Sequence, residues 1–146
     1  MKKACIIFAA CFLLTAATAS CAAATGTGTG DRIRLSFSCG EILVRMEDNP
    51  AARDLLSMLP LTLAFEDYNS TEKVAYPPRK LKTDGAPGAC DPNVGSLTCY
   101  APWGNLALFY KDYGHSRGLV PLGTVESGLD KLPLLDKAGK VTISKL

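Results

Sequence analysis

Short runs of alternating apolar and polar side chains recur along most of the chain, and each is closed by glycine, proline or a small polar turn. Arg32-Ile33-Arg34-Leu35-Ser36-Phe37-Ser38 alternates strictly, which predicts a half-buried strand with Ile33, Leu35 and Phe37 inward. Cys39-Gly40 turns the chain, and Glu41 to Glu47 returns as a second strand. Leu61 to Glu66, Lys73 to Tyr76, Leu97 to Ala101, Leu106 to Tyr110, Val120 to Val125 and Val141 to Ser144 repeat the pattern. Pro121 assigns the Val120 run to a sheet edge or a bulge. Helical spacing is clear in one place. Asn49 and Pro50 supply a cap and a first-turn proline, Ala52, Leu55, Leu56 and Leu59 share a face, and Pro60 ends the segment. Leu129 to Leu135 is leucine-rich but interrupted by Pro133, enough for one further helical turn. Pro77 to Gly95 loses all periodicity. A loop of that length reads either as a binding loop or lid, or as a surface excursion pinned by Cys90. Seven or eight short strands with one or two short capping helices predict a mainly-β fold, a closed barrel.

The first thirty residues follow another logic. Met1-Lys2-Lys3 is a positive start, Ala4 to Leu14 an apolar stretch too short to span a bilayer, and small residues follow. This predicts an export signal over 1–20, a flexible Gly/Thr-rich tether over 21–30 and one domain over 31–146. Cleavage after Ala17-Thr18-Ala19 or after Ala22-Ala23-Ala24 suits an ordinary signal peptidase. Ala19-Ser20-Cys21 instead resembles a bacterial lipobox, with Cys21 lipidated as the mature N-terminus, although Thr18 replaces the usual aliphatic residue. The tether composition favours the lipoprotein. The expected address is the bacterial cell envelope, periplasm or outer surface, with membrane contact only through the lipid anchor.

Removing Lys2 and Lys3 leaves 14 of the 16 basic residues against 14 acidic ones, so the mature domain is near neutral and carries no basic stripe for nucleic acid. Of the six cysteines, Cys39, Cys90 and Cys99 lie in the domain. Cys90 and Cys99 flank a short Pro/Gly loop in an exported setting, which predicts a disulfide, and with it a possible redox role. No metal is expected, since there is no CxxC pair and His115 is the only histidine. No cofactor motif stands either. Gly26, Gly28 and Gly30 lie in the tether, and Gly114-His115-Ser116-Arg117-Gly118 mimics a nucleophile elbow but precedes a strand and has no later histidine. Glu66 and Asp67 are neighbours on one strand and face opposite ways, so they do not form a carboxylate pair.

The densest aromatic segment is Tyr100-Ala101-Pro102-Trp103-Gly104-Asn105-Leu106-Ala107-Leu108-Phe109-Tyr110, which reads as strand, tight turn and strand. Tyr68, Tyr76, Trp103, Asn105, Tyr113, His115 and Arg117 all fall at strand ends or in turns, where they could line one groove. The competing reading makes Trp103 and Phe109 simple core plugs.

With these elements placed, residues Arg32 to Leu146 resemble the bacterial cyclophilin-like fold proteins. The likeness rests on Asp48-Asn49-Pro50-Ala51-Ala52-Arg53 through Leu59-Pro60-Leu61-Thr62-Leu63, on Asp67-Tyr68, and on the aromatic run. Leu122-Gly123-Thr124-Val125, Gly128-Leu129-Asp130 and Gly139-Lys140-Val141-Thr142-Ile143 look like the closing segments of true cyclophilins. The resemblance implies a closed cyclophilin-like barrel. It also implies a missing reaction. Leu119 stands where cyclophilins carry their active-site histidine, and the Phe-x-Arg strand with the catalytic arginine has no counterpart. Arg79 and Arg117 are the remaining cations that could reach a groove. The expected function is therefore a non-catalytic module that binds a peptide or small ligand, with residual prolyl isomerase activity as the alternative.

Overall fold

The structure, a computed structural model, describes residues 28–146. The export signal, the lipobox and Cys21 lie outside the described residues. The strands are β1 (Gly28–Phe37), β2 (Gly40–Glu47), β3 (Leu61–Leu63), β4 (Glu66–Tyr68), β5 (Glu72–Ala75), β6 (Ala89–Cys90), β7 (Ser96–Tyr100), β8 (Asn105–Phe109), β9 (Ser116–Arg117), β10 (Leu119–Ser127) and β11 (Val141–Lys145). One α-helix, α1 (Pro50–Met58), and a 3₁₀ helix (Leu129–Lys137) complete the elements of the described residues. The strand therefore begins at Gly28, inside the stretch expected to be tether.

Nine strands form one antiparallel sheet in the order β3-β11-β1-β2-β10-β7-β8-β5-β4. It curls so strongly that its two edge strands, β3 and β4, follow each other in the chain with only Ala64 and Phe65 between them. No ladder joins these edges, so the sheet is a half-barrel and the expected closure is not reached. Each edge strand is three residues long, and Phe65, 3% exposed, packs with the main core beside the seam. Apolar side chains rather than backbone hydrogen bonds fill the gap.

The period-two pattern decides what each face of the sheet packs against. Ile33 and Leu35 on β1, Leu106 and Leu108 on β8, and Leu97 and Cys99 on β7 enter the main core. Leu55 of α1 and Leu132 and Leu135 of the 3₁₀ helix join them. The intervening residues look the other way. Val74, Ala107, Phe109 and Leu119 form a second, smaller cluster on the opposite face, with Cys90 and Tyr100 packed against it. Pro121 lies within β10, between β2 and β7 in the sheet, and the register shift between Pro121 and Gly123 makes it a bulge rather than an edge.

Asn49 starts α1 as the sequence predicts. Its Oδ1 accepts from the Ala52 amide at 2.9 Å, and its Nδ2 donates to the Pro121 carbonyl at 2.8 Å. One buried side chain thus caps the helix and ties it to the sheet. The segment Pro77 to Gly95 is pinned more firmly than a solvated excursion. Leu81 enters the main core, and β6 pairs with β9 as a separate two-stranded sheet.

Candidate functional site

The second face of the sheet opens into a trough of about 200 Å³. Its position follows from local sequence. Tyr100 pairs with Asn105 across a four-residue turn, Ala101-Pro102-Trp103-Gly104, in which the Gly104 amide donates to the Tyr100 carbonyl at 2.7 Å. Gly104 adopts a φ of 77°, which lets the turn close, and Lys80 Nζ donates to the Pro102 carbonyl at 2.9 Å. Trp103 is thereby held at the tip and remains 51% exposed. It meets Tyr68 at 5.7 Å and Tyr100 at 5.4 Å between ring centroids, both edge-to-face.

The opposite rim is the hairpin between β4 and β5. Asn69 and Ser70 have φ of 52° and 53°, the mirror-turn geometry that matches strand twist. The Thr71 amide donates to the Tyr68 carbonyl at 3.1 Å, and the Ser70 amide to Asp67 Oδ2 at 3.1 Å. This turn carries Tyr68, Thr71 and Glu72 to the trough. Phe109 and Leu119 contribute the buried lining, and Tyr113 sits against Phe109 with centroids 5.9 Å apart.

One buried amide oxygen and one half-buried carboxylate of the trough have no protein partner among the described residues. Asn105 is 2% exposed; its Nδ2 donates to the Leu106 carbonyl at 3.3 Å, while its Oδ1 is buried and accepts nothing. The carboxylate of Glu72 is half-buried and makes no ion pair, and burial raises its pKa above the ordinary carboxylate range. Among the described residues, no lysine, arginine or histidine lines the trough.

Of the residues singled out from sequence, Tyr68, Trp103, Asn105 and Tyr113 meet in this trough. Three do not. Tyr76 lies just beyond the end of β5 and is exposed, His115 faces Asp91 at 3.2 Å, and Arg117 is exposed on β9. Trp103 is no core plug, whereas Phe109 is one, at 1% exposure. Sequence reasoning missed Glu72, Thr71 and Tyr100 as lining. The missed signal was parity: Glu72 with Val74, and Asn105 with Ala107 and Phe109, alternate onto one face once the β5–β8 register is fixed.

Arg79, the other cation considered for a groove, serves the fold. Its Nη1 and Nη2 donate to Asp54 Oδ2 and Oδ1 at 2.6 and 3.0 Å, and the Lys82 amide donates to Oδ2 at 2.9 Å. This ties the long loop to α1. The hydrogen bond from Arg79 is the main cause that holds the Asp54 carboxyl below the ordinary range, and the Lys82 amide adds to it against the opposing effect of burial. A depressed folded pKa gives stability that is complete above the unfolded value of about 4 and is lost as pH falls through the folded value. Urea midpoints followed downward from neutral pH should therefore fall in acid less steeply for Asp54→Asn than for the wild type. Parallel curves would remove this pair from the acid limb. Asp67 and Asp112 are also held by partners within the fold. Asp67 Oδ1 accepts from Lys73 Nζ at 2.9 Å and from the Tyr110 hydroxyl at 2.7 Å, and Asp112 accepts the Val94 amide at 2.9 Å.

The expected Cys90–Cys99 disulfide is not formed, and both thiols are free. Cys99 belongs to the main core and Cys90 to the second cluster, so the sheet itself lies between them. Burial pushes the Cys99 thiol up to about 11, and burial with the Asp91 charge also raises Cys90. Both shifts disfavour the thiolate, and with the sulfurs on opposite faces of the sheet the redox reading loses its pair.

A family model described as the Cyclophilin-like family matches residues 35–144. Among solved structures, the solution structure of a hypothetical protein from Archaeoglobus fulgidus is similar, with a TM-score of 0.54 and 17% identity over 82% of this chain and 97% of that one. That likeness concerns the fold alone. No curated protein matches the chain.

Proposed function

The chain belongs to the Cyclophilin-like family, and from that premise we propose that it is an exported, envelope-tethered module that binds a peptide or small ligand without chemical turnover. One observation carries the reading: four exposed or half-exposed aromatics, Tyr68, Tyr100, Trp103 and Tyr113, surround a trough whose buried Asn105 Oδ1 lacks a donor. Clustered exposed aromatics cost solvation that a monomer usually avoids, and a buried unpaired acceptor costs about 1–3 kcal/mol. A ligand that covers the rings and donates to Asn105 recovers both. The N-terminal pattern supports export, and the Gly/Thr-rich stretch supports a tether.

Prolyl isomerisation needs a donor or cation placed against the twisted amide, because only contacts stronger in the transition state accelerate it. Leu119, which the sequence resemblance sets in place of the cyclophilin histidine, lines the trough, and Arg79 is engaged with Asp54. Trp103 is the only tryptophan, so its fluorescence reports on this site alone. Titration with proline-containing peptides and small-ligand pools should shift its emission, and a flat response throughout would sink the binding reading. A protease-coupled isomerisation assay on the same sample should give no rate above background. A rate that falls in Arg117→Ala would restore the enzyme reading.

A further inference from the structure

The trough is electrostatically one-sided, and this narrows what it can hold. The one charged group that lines it is the Glu72 carboxylate; the buried Asn105 Oδ1 adds an acceptor without a donor, and the tyrosine hydroxyls at the rim can donate or accept. Its walls are aromatic faces, which also attract positive charge. An anionic ligand would find no cation, and a purely apolar one would leave Asn105 and Glu72 buried without donors.

The two acceptors stand at opposite ends. Glu72 pairs with Phe109, and Asn105 pairs with Tyr100 at the other end of β8. Four residue steps of strand run from Asn105 to Phe109, roughly 14 Å of backbone at about 3.4 Å per residue. A single nitrogen cannot serve both. A ligand with a main-chain N–H at one end and a cationic nitrogen at the other can, with an apolar stem lying between the rings. The volume of about 200 Å³ suits one long side chain rather than a drug-sized molecule.

We propose that the trough receives a lysine-type side chain of a peptide, its ammonium at Glu72, its methylene stem between Trp103, Tyr68 and Phe109, and its backbone N–H on Asn105 Oδ1. This rests on the binding reading above and adds the chemical class of the ligand. Long basic side chains suit such a place because the stem packs on apolar walls while the head stays at a charged rim.

The test uses the full chain and Trp103 fluorescence, checked by calorimetry. The probes are Nα-acetyl-lysine N-methylamide, its norleucine counterpart, its Nε-acetylated counterpart, and cadaverine as a free diamine. The lysine amide should bind at least about tenfold more tightly than the norleucine or Nε-acetyl forms, the size expected for one desolvated cation over aromatic faces beside an acid. Glu72→Gln, a half-exposed and nearly isosteric change, should abolish that preference, chiefly through weaker binding of the lysine amide. Norleucine binding as tight as lysine in the wild type, or a preference that survives Glu72→Gln, overturns the cation assignment while the binding reading stands. Cadaverine binding more tightly than the lysine amide overturns the peptide source. Silence of Trp103 and of calorimetry towards all four probes overturns the lysine assignment. Silence that extends to the proline peptides and ligand pools removes the binding reading as well.

Discussion

Phe109→Ala should lower the stability of the domain by about 3–5 kcal/mol, the range for truncating a fully buried aromatic. Phe109 is 1% exposed and is the largest side chain of the second cluster, whose other members are Val74, Ala107 and Leu119. These neighbours, a valine, an alanine and a leucine, sit on three different strands already fixed by ladder hydrogen bonds. They cannot move inward to fill the space, so the cavity remains and its cost adds to the lost transfer energy. A single domain has about 5–15 kcal/mol in total, so the variant should fold at 25 °C but with a much lower urea midpoint. An unchanged slope of unfolding free energy with urea would show that the native state keeps its compactness. A loss below about 1 kcal/mol, the scale of surface changes, would mean that this face of the sheet carries no real packing.

The same side chain marks how far the sequence could be read. Its strand was legible from Leu106 to Tyr110, because alternation and aromatic content both indicate a pleated, half-buried run. The helix was legible too, since Asn49-Pro50 is a local signal that needs no tertiary context. Barrel closure was not. It depends on whether two three-residue edges come within hydrogen-bonding distance, which is a sum of twists over nine strands rather than a property of any segment. The short strands β6 and β9 were missed for a similar reason: two residues each carry no periodicity, and only the pairing of Ala89 with Arg117 and of Cys90 with Ser116 defines them.

At the site, exposed turn residues were easier to find than lining residues within strands. Trp103 and Tyr68 stand out because large aromatics beside turn signals are conspicuous in a sequence. Glu72 does not, because one acid on a four-residue strand looks like an ordinary edge charge until the register sets it opposite Phe109. His115 and Arg117 misled for the opposite reason. They are close in sequence to Tyr113 and Ser116, which line the trough, but they are not among its lining residues. The disulfide failed on parity as well, since sequence proximity of Cys90 and Cys99 says nothing about which face of a sheet each thiol occupies.

Gly128→Ala should cost about 2–5 kcal/mol, and comparison with Gly139→Ala separates the two causes. Both glycines have positive φ, 89° and 72°, so alanine at either position bears a left-handed penalty of about 1–2 kcal/mol. Only Gly128 is also crowded. A Cβ there would lie 2.6 Å from the Glu41 carbonyl oxygen and 3.1 Å from the Ile42 Cα, whereas at Gly139 it would meet nothing within 4 Å. The obstacle is backbone of β2, where Glu41 and Ile42 are paired with Ser36 and Leu35 of β1 and adjoin the Leu43 end of the β10 ladder, so it cannot retreat without disturbing a ladder. Gly128 also precedes the 3₁₀ helix whose Leu132 and Leu135 close the main core, so a displaced turn would shift both side chains. Overpacking of this kind costs about 1–3 kcal/mol, and that increment is the expected difference between the two variants in urea. Equal losses at the two positions would mean that β2 yields, and the glycine before Leu129 would then be required for its dihedral angle alone.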